Sequence, residues 1–315
     1  MATRFALGLA ALGRPAYITV DHARDFPGGR SIPAMEQHAH AVLDAAYTGG
    51  IRAFDAARSY GRAEAFLRAW LDGRAIAPHQ VFVSSKWGYR YTGGWQLDAE
   101  RHEVKDHSLA ALREQLTESR ALLGAHLALY QIHSATAESG VLRDDGVLDE
   151  LARVRDSGVA IGVTVSGPGQ AACVREALQI RRGDEWLFSS IQATWNVLER
   201  SCEDALHEAR SAGRTVVLKE ALANGRLGPR GDAAVGPLRE LARTAGAGVD
   251  GVALAVALAQ PFADVVLLGA STEAQLASNL RATAVRLPDD ALEQLTPLRE
   301  DGPSYWRRRA ALPWS

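Results

Sequence analysis

The sequence predicts an α/β protein: a closed (β/α)8 barrel forming a single domain over residues 1–315, with a C-terminal helix and tail. Three observations predict it. Short apolar runs alternate with longer amphipathic ones, as in parallel strands joined by crossover helices. The alternation repeats eight times within 315 residues, a length that suits eight such units. No Pro/Gly/Ser-rich linker or shift of composition divides the chain. The rival is an open doubly wound sheet, whose G-x-G-x-x-G turn "GLAALG" (8–13) does not match in spacing.

The elements follow in order. FALGLA (5–10) is the first strand, and the helix over 35–48 repeats apolar residues at three- and four-residue spacing until Gly49-Gly50 stops it. RAFDAA (52–57) precedes a helix over 63–71, and VFVSSK (81–86) precedes one over 105–123. LALYQIH (127–133) leads to a helix over 147–156, and AIGVTV (160–165) to one over 170–178. FSSIQAT (188–194) is followed by 202–212, and TVVLKE (215–220) by two helices, 237–245 and 249–258. DVVLLGA (264–270) precedes a helix over 273–282, then a short helix near 289–298 and the tail GPSYWRRRAALPWS. The stretch 87–104 is too long for an ordinary connection, and in a barrel it sits on the rim where substrates bind.

Composition narrows the function classes. A formal net charge of -2 gives no reason to expect nucleic acid or an anionic membrane as partner. No apolar run approaches the ~20 residues of a membrane span, and the N-terminal stretch reads as a strand rather than a leader. Cys173 and Cys202 fit neither a disulfide framework nor a zinc site, which places the protein in a reducing cytoplasm. The sequence assigns no oligomeric state.

Catalytic groups of such a barrel gather at the C-terminal strand ends. Strand two ends at Asp55 with Tyr60 just beyond, strand three at Lys86 and strand four at His133. Singly, each has a bland reading: a loop anchor, a solvated lysine, a hydrogen-bonded core histidine. Four ionisable groups on three adjacent strands outweigh those readings. A cation beside a phenol lowers its pKa, so Lys86 is expected to assist Tyr60, with Asp55 holding Lys86 charged and His133 orienting a substrate oxygen. That set performs carbonyl reduction by hydride without a metal.

Several pieces resemble the aldo-keto reductases: GIRAFDAARSYGRAE, VFVSSKW, LALYQIHS, IGVTVSG, IQATWN and LLGASTEAQLASNL, in family order. The resemblance implies an (α/β)8 barrel, an extended NAD(P)H and transfer of the 4-pro-R hydride. It places Asp55, Tyr60, Lys86 and His133 on the catalytic tetrad, and Gln192 against the nicotinamide carboxamide. Ser271, Thr272, Gln275 and Asn279 fall in the adenosine and 2'-phosphate segment, and Gly8, Leu222 and Gly269 complete the expected cofactor contacts. Three departures stand out. Thr164-Val165 replaces a Ser-Asn pair, Lys219 replaces the ring that stacks on nicotinamide, and Ser271 stands where a basic residue is frequent.

These readings predict an NAD(P)H-dependent oxidoreductase acting on a small carbonyl or sugar. The alternatives are a sugar lactol dehydrogenase running oxidatively and a non-catalytic cofactor-binding barrel. The cofactor expected is NADPH, with NADH possible. Hydroxyls of Ser271 and Thr272, the amide of Gln275 and a helix N-terminus favour a phosphate, whereas Glu273 opposes it. His38 and His40 lie two apart and face different ways, a poor metal pair, and "RDDGVLDE" (143–150) lacks calcium-ligand spacing. Trp306 and Trp314 either line a substrate pocket or pack against the barrel.

Overall fold

The computed structural model describes residues 3–20, 22–232 and 236–315. Eight parallel strands close into a barrel in which each pairs with its sequence neighbours: β1 (Phe5–Gly8), β2 (Ala53–Asp55), β3 (Phe82–Trp87), β4 (Leu127–Ala135), β5 (Ala160–Val165), β6 (Ser190–Thr194), β7 (Thr215–Lys219) and β8 (Val265–Leu268). Phe5 to Leu7 of β1 pair with Val266 to Leu268 of β8, which closes the ring. All eight strands lie within one residue or two of the runs read from the sequence.

Helices cover the outside: α1 (Ile32–Thr48), α2 (Ala63–Gly73), α3 (Leu109–Leu123), α4 (Asp145–Asp156), α5 (Gln170–Leu178), α6 (Glu203–Ser211), α7 (Gly236–Ala245), α8 (Val249–Ala259) and α9 (Glu273–Leu280). Their ends follow local chemistry. Ser31, Ser108 and Asp144 cap α1, α3 and α4 by accepting a hydrogen bond from the amide three residues on. The apolar stripes of α1 and α2 bury Val42, Leu43, Phe66, Leu67 and Trp70 against the barrel wall.

Two features depart from the expected layout. The long stretch after β3 holds an antiparallel hairpin, Tyr89–Tyr91 against Glu103–Lys105, which carries Glu103 to the barrel mouth. After the short α10 (Ala291–Gln294), the tail forms a true helix, α11 (Gly302–Ala310), capped by Asp301 with a proline in its first turn. Beyond α11, Trp314 bridges Ile18, and Ser315 exchanges backbone hydrogen bonds with Tyr17 at 3.2 and 3.3 Å. The chain end is thereby pinned across the loop that leaves β1.

Among the described residues, no single helix is long and apolar enough to cross a membrane. None of their His, Cys, Asp and Glu side chains cluster in threes as a metal site would require. His38 and His40 are instead held by the carbonyls of Ser271 and Phe66.

Candidate active site

Strand periodicity of two sets the floor of the site. Asp55 ends β2 in register with Ser84 of β3, and Lys86, two residues on, is in register with Gln131 of β4. Ser84 and Lys86 therefore point the same way, as do Gln131 and His133. Ser84 Oγ and Gln131 Nε2 donate to Asp55 Oδ1, the latter at 3.2 Å. Lys86 Nζ donates to Asp55 Oδ2 and, at 3.0 Å, to the carbonyl of Ala56. Asp55 and Lys86 are almost wholly buried, at 4% and 1% exposure, so their pairing and these extra bonds offset a large desolvation cost.

Tyr60 reaches the same point from the turn after β2. Its amide donates to the carbonyl of Ala57 at 3.0 Å, and Gly61 follows at φ +61°. A Cβ at position 61 would sit 2.5 Å from the Gly13 carbonyl oxygen, so both conformation and space demand glycine there. The phenol oxygen lies 3.5 Å from His133 Nε2, and His133 Nδ1 lies 3.4 Å from Ser59 Oγ. Lys86 Nζ is 4.9 Å and the Arg14 guanidinium 5.2 Å from the centre of the Tyr60 ring.

The electrostatics correct one expectation. Burial pushes the Tyr60 phenol well above its ordinary value, the Asp55 charge adds to that, and Arg14 opposes it. Burial, the largest cause, sets the direction of the shift, against the expectation that Lys86 would bring the phenol down. Burial, with the nearby charges of Lys86, Lys219 and Arg14, holds His133 well below its ordinary value. At neutral pH the site therefore holds a protonated phenol against a neutral imidazole.

A cavity of about 460 Å³ leads from Tyr60 and His133 to the segment after β8. Gly8, Asp55, Thr164, Gln192, Lys219, Leu222, Gly269, Ser271, Gln275 and Asn279 line it as well. Two residues expected in the site do not line the cavity. Lys86 lies behind Asp55 and Tyr60, and Thr272 is the cap of α9, its hydroxyl accepting from the Gln275 amide at 3.1 Å. The Thr164 hydroxyl is engaged too, accepting from the Ser134 amide at 2.7 Å.

Lys219 is half-buried and donates to Ser166 Oγ at 2.8 Å. Burial pulls its ammonium down to about 8, with Glu220 opposing and Arg309 and Lys86 adding. Below that pH the folded and unfolded states both carry the charge, and the burial penalty is full. From about 8 to the ordinary 10.5 the unfolded state holds more protons, so stability rises with pH. Lys219→Met is expected to flatten the rise of Tm across that window. An identical rise in both proteins would rule Lys219 out as its cause.

Several groups at the mouth had no signal in the sequence. Arg14 donates to Glu103 at 2.7 Å, and Arg309 of α11 grips Glu220 at 2.6 to 3.0 Å. Trp314 lies under the Arg14 guanidinium at 4.8 Å and lines the cavity, whereas Trp306 packs in the interior. Glu220 follows Lys219 at φ +55°, a left-handed conformation that is rare for glutamate and turns its carboxylate toward Arg309.

A family model described as the Aldo/keto reductase family matches residues 27–300. No curated protein matches the chain. Among solved structures, the aldo-keto reductase AKR11C1 from Bacillus halodurans in its holo form is 21% identical, with a TM-score of 0.72 over 95% of this chain and 93% of that one. The glycerol dehydrogenase AKR11B4 from Gluconobacter oxydans is 21% identical, with a TM-score of 0.71 over 94% and 91%. Both share the barrel. With a family model spanning most of the sequence, this chain belongs to the aldo/keto reductase family of oxidoreductases.

Proposed function

We propose that the protein interconverts a carbonyl and an alcohol with a nicotinamide dinucleotide, using Tyr60 as the proton donor. The observation that carries this reading is the meeting of Tyr60, His133 and the Asp55–Lys86 pair at one end of a cavity that continues to the segment after β8. A bound nicotinamide supplies the hydride, or accepts it in the oxidative direction. Tyr60 gives its hydroxyl proton to the oxygen that gains electrons. Neutral His133, with Nε2 beside the phenol, positions that oxygen by a hydrogen bond. Lys86 and Asp55 fix the floor on which Tyr60 rests.

The cavity suits such a cofactor. Gly8 and Gly269 bring bare backbone to its wall, and the side-chain amides of Gln192, Gln275 and Asn279 line it. Thr164 and Gln192 would hold the nicotinamide end, and Gly269, Ser271, Gln275 and Asn279 the adenosine end. A second reading, oxidation of a sugar lactol, is favoured by the mouth. Arg14, Glu103, Arg309 and Glu220 with Tyr17 and Trp314 combine charged partners and ring faces, which suits a polyhydroxylated substrate.

The test is reduced-cofactor consumption with aldehydes, ketones and aldoses, and cofactor reduction with lactols. Saturable turnover in either direction is expected. Dinucleotide binding without turnover across the whole panel would favour the non-catalytic barrel, and no binding at all would overturn both.

A further inference from the structure

The far end of the cavity carries a carboxylate that the sequence did not bring to attention. Asp25 belongs to a short turn of helix after β1, is 5% exposed and lines the cavity opposite the β8 segment. Ser271 Oγ donates to Asp25 Oδ2. Gln275 Nε2 donates to Asp25 Oδ1 at 3.1 Å, and Arg230 Nη2 donates to the same oxygen at 2.8 Å. The Gln275 amide is fixed in that sense, because its Oε1 accepts from the Ser271 amide at 2.8 Å. Burial works against ionisation of Asp25, yet the nearby His22 ring and hydrogen bonds from Ser271, Arg230 and Gln275 hold its carboxyl far below the usual range.

Two of the donors read in the sequence as a phosphate cradle, Ser271 and Gln275, are thus already engaged by an anion of the protein itself. Nearby, Asp250 is 3% exposed and lines the same end. Its Oδ2 accepts from Asn279 at 3.1 Å, while its Oδ1 is buried without a hydrogen-bond partner. Of these three charged groups two are acidic, and the cation, Arg230, is bound to Asp25.

We propose that Asp25 makes this an NADH protein, accepting a hydrogen bond from an adenosine ribose hydroxyl and excluding a 2'-phosphate. This rests on the dinucleotide reading above and reverses the NADPH expectation drawn from Ser271, Thr272 and Gln275. A phosphate there meets the Asp25 charge at hydrogen-bonding range, behind low-dielectric walls that screen little. Ser271 and Gln275 could turn to it only by taking their hydrogen bonds away from the buried Asp25 carboxylate. A ribose hydroxyl donates to the carboxylate instead and disturbs nothing.

The experiment is titration of the purified full-length protein with NADH and with NADPH, followed by tryptophan quenching, for wild type, Asp25→Asn and Asp25→Ser. Wild type is expected to bind NADH about tenfold or more tighter than NADPH, the scale of one like-charge contact. Both variants are expected to narrow that ratio by a similar factor, mainly through tighter NADPH binding. Equal affinities or an NADPH preference in wild type would overturn the role of Asp25 and leave the dinucleotide reading standing. An unchanged ratio in a folded variant would do the same. If neither dinucleotide binds, the functional reading falls and this inference with it. The wild-type ratio decides the matter even where a variant fails to fold.

Discussion

Tyr60→Phe is expected to lower turnover by ~10²–10⁴-fold, the loss typical of removing a general acid, while the protein stays folded and binds its cofactor as before. The ring makes most of the residue's contacts: the Arg14 guanidinium, Lys86 and the His133 ring all pack on it. Phenylalanine keeps that ring and removes one oxygen. The hydroxyl's only hydrogen-bond partner among the described residues is His133, at the long distance of 3.5 Å. Stability should therefore change by no more than ~1 kcal/mol. Single-turnover rates measured beside thermal unfolding separate the two effects. A folded variant that turns over at the wild-type rate would remove Tyr60 from the chemistry. The raised phenol pKa sharpens the expectation, because the proton to be donated is present throughout the neutral range.

The barrel was legible because its signals are local. An apolar run ending at Asp55, Lys86 or His133 reads as a strand end, and parity along β3 and β4 then brings those groups together. The segment after 298 was expected as a tail; Asp301, accepting from the Ser304 amide, and Pro303 in the first turn start α11 there. The rim was illegible because its partners are distant. Arg14 and Glu103 lie 89 residues apart, Glu220 and Arg309 also 89, and Asp25 and Ser271 246. No periodicity connects such pairs, and only barrel closure makes them neighbours. The direction of the Tyr60 shift was misread for a related reason. Charge type is written in the sequence, but depth of burial is not, and here burial dominates. Thr272 takes the common role of threonine before a helix, capping α9.

Lys86→Met is expected to have the largest effect on stability and to lower turnover as well. The substitution preserves length and apolar stem but removes the ammonium that Asp55 and the Ala56 carbonyl share. Asp55 then keeps only Ser84 and Gln131 as donors, at 4% exposure. Leaving one partner of a buried pair uncompensated costs ~3–5 kcal/mol. The cost should depend on pH in a defined sense. An unpaired buried carboxylate titrates above its unfolded value near ~3.9, so between the two values the folded state holds the extra proton. Stability of the variant relative to wild type must then fall as pH rises through that window and be best preserved in acid. Asp55→Asn placed in the same chain removes the stranded charge and should recover most of the stability. It should not recover turnover, since Tyr60 still lacks the floor that holds it, and a displacement of about 1 Å at a reacting group costs ~10²-fold. Denaturant unfolding at acid and neutral pH, run with steady-state rates for the single and double variants, makes the comparison. A single variant equally destabilised at both pH values, or a double variant restored in rate, would show that Lys86 is not acting through Asp55 to place the phenol.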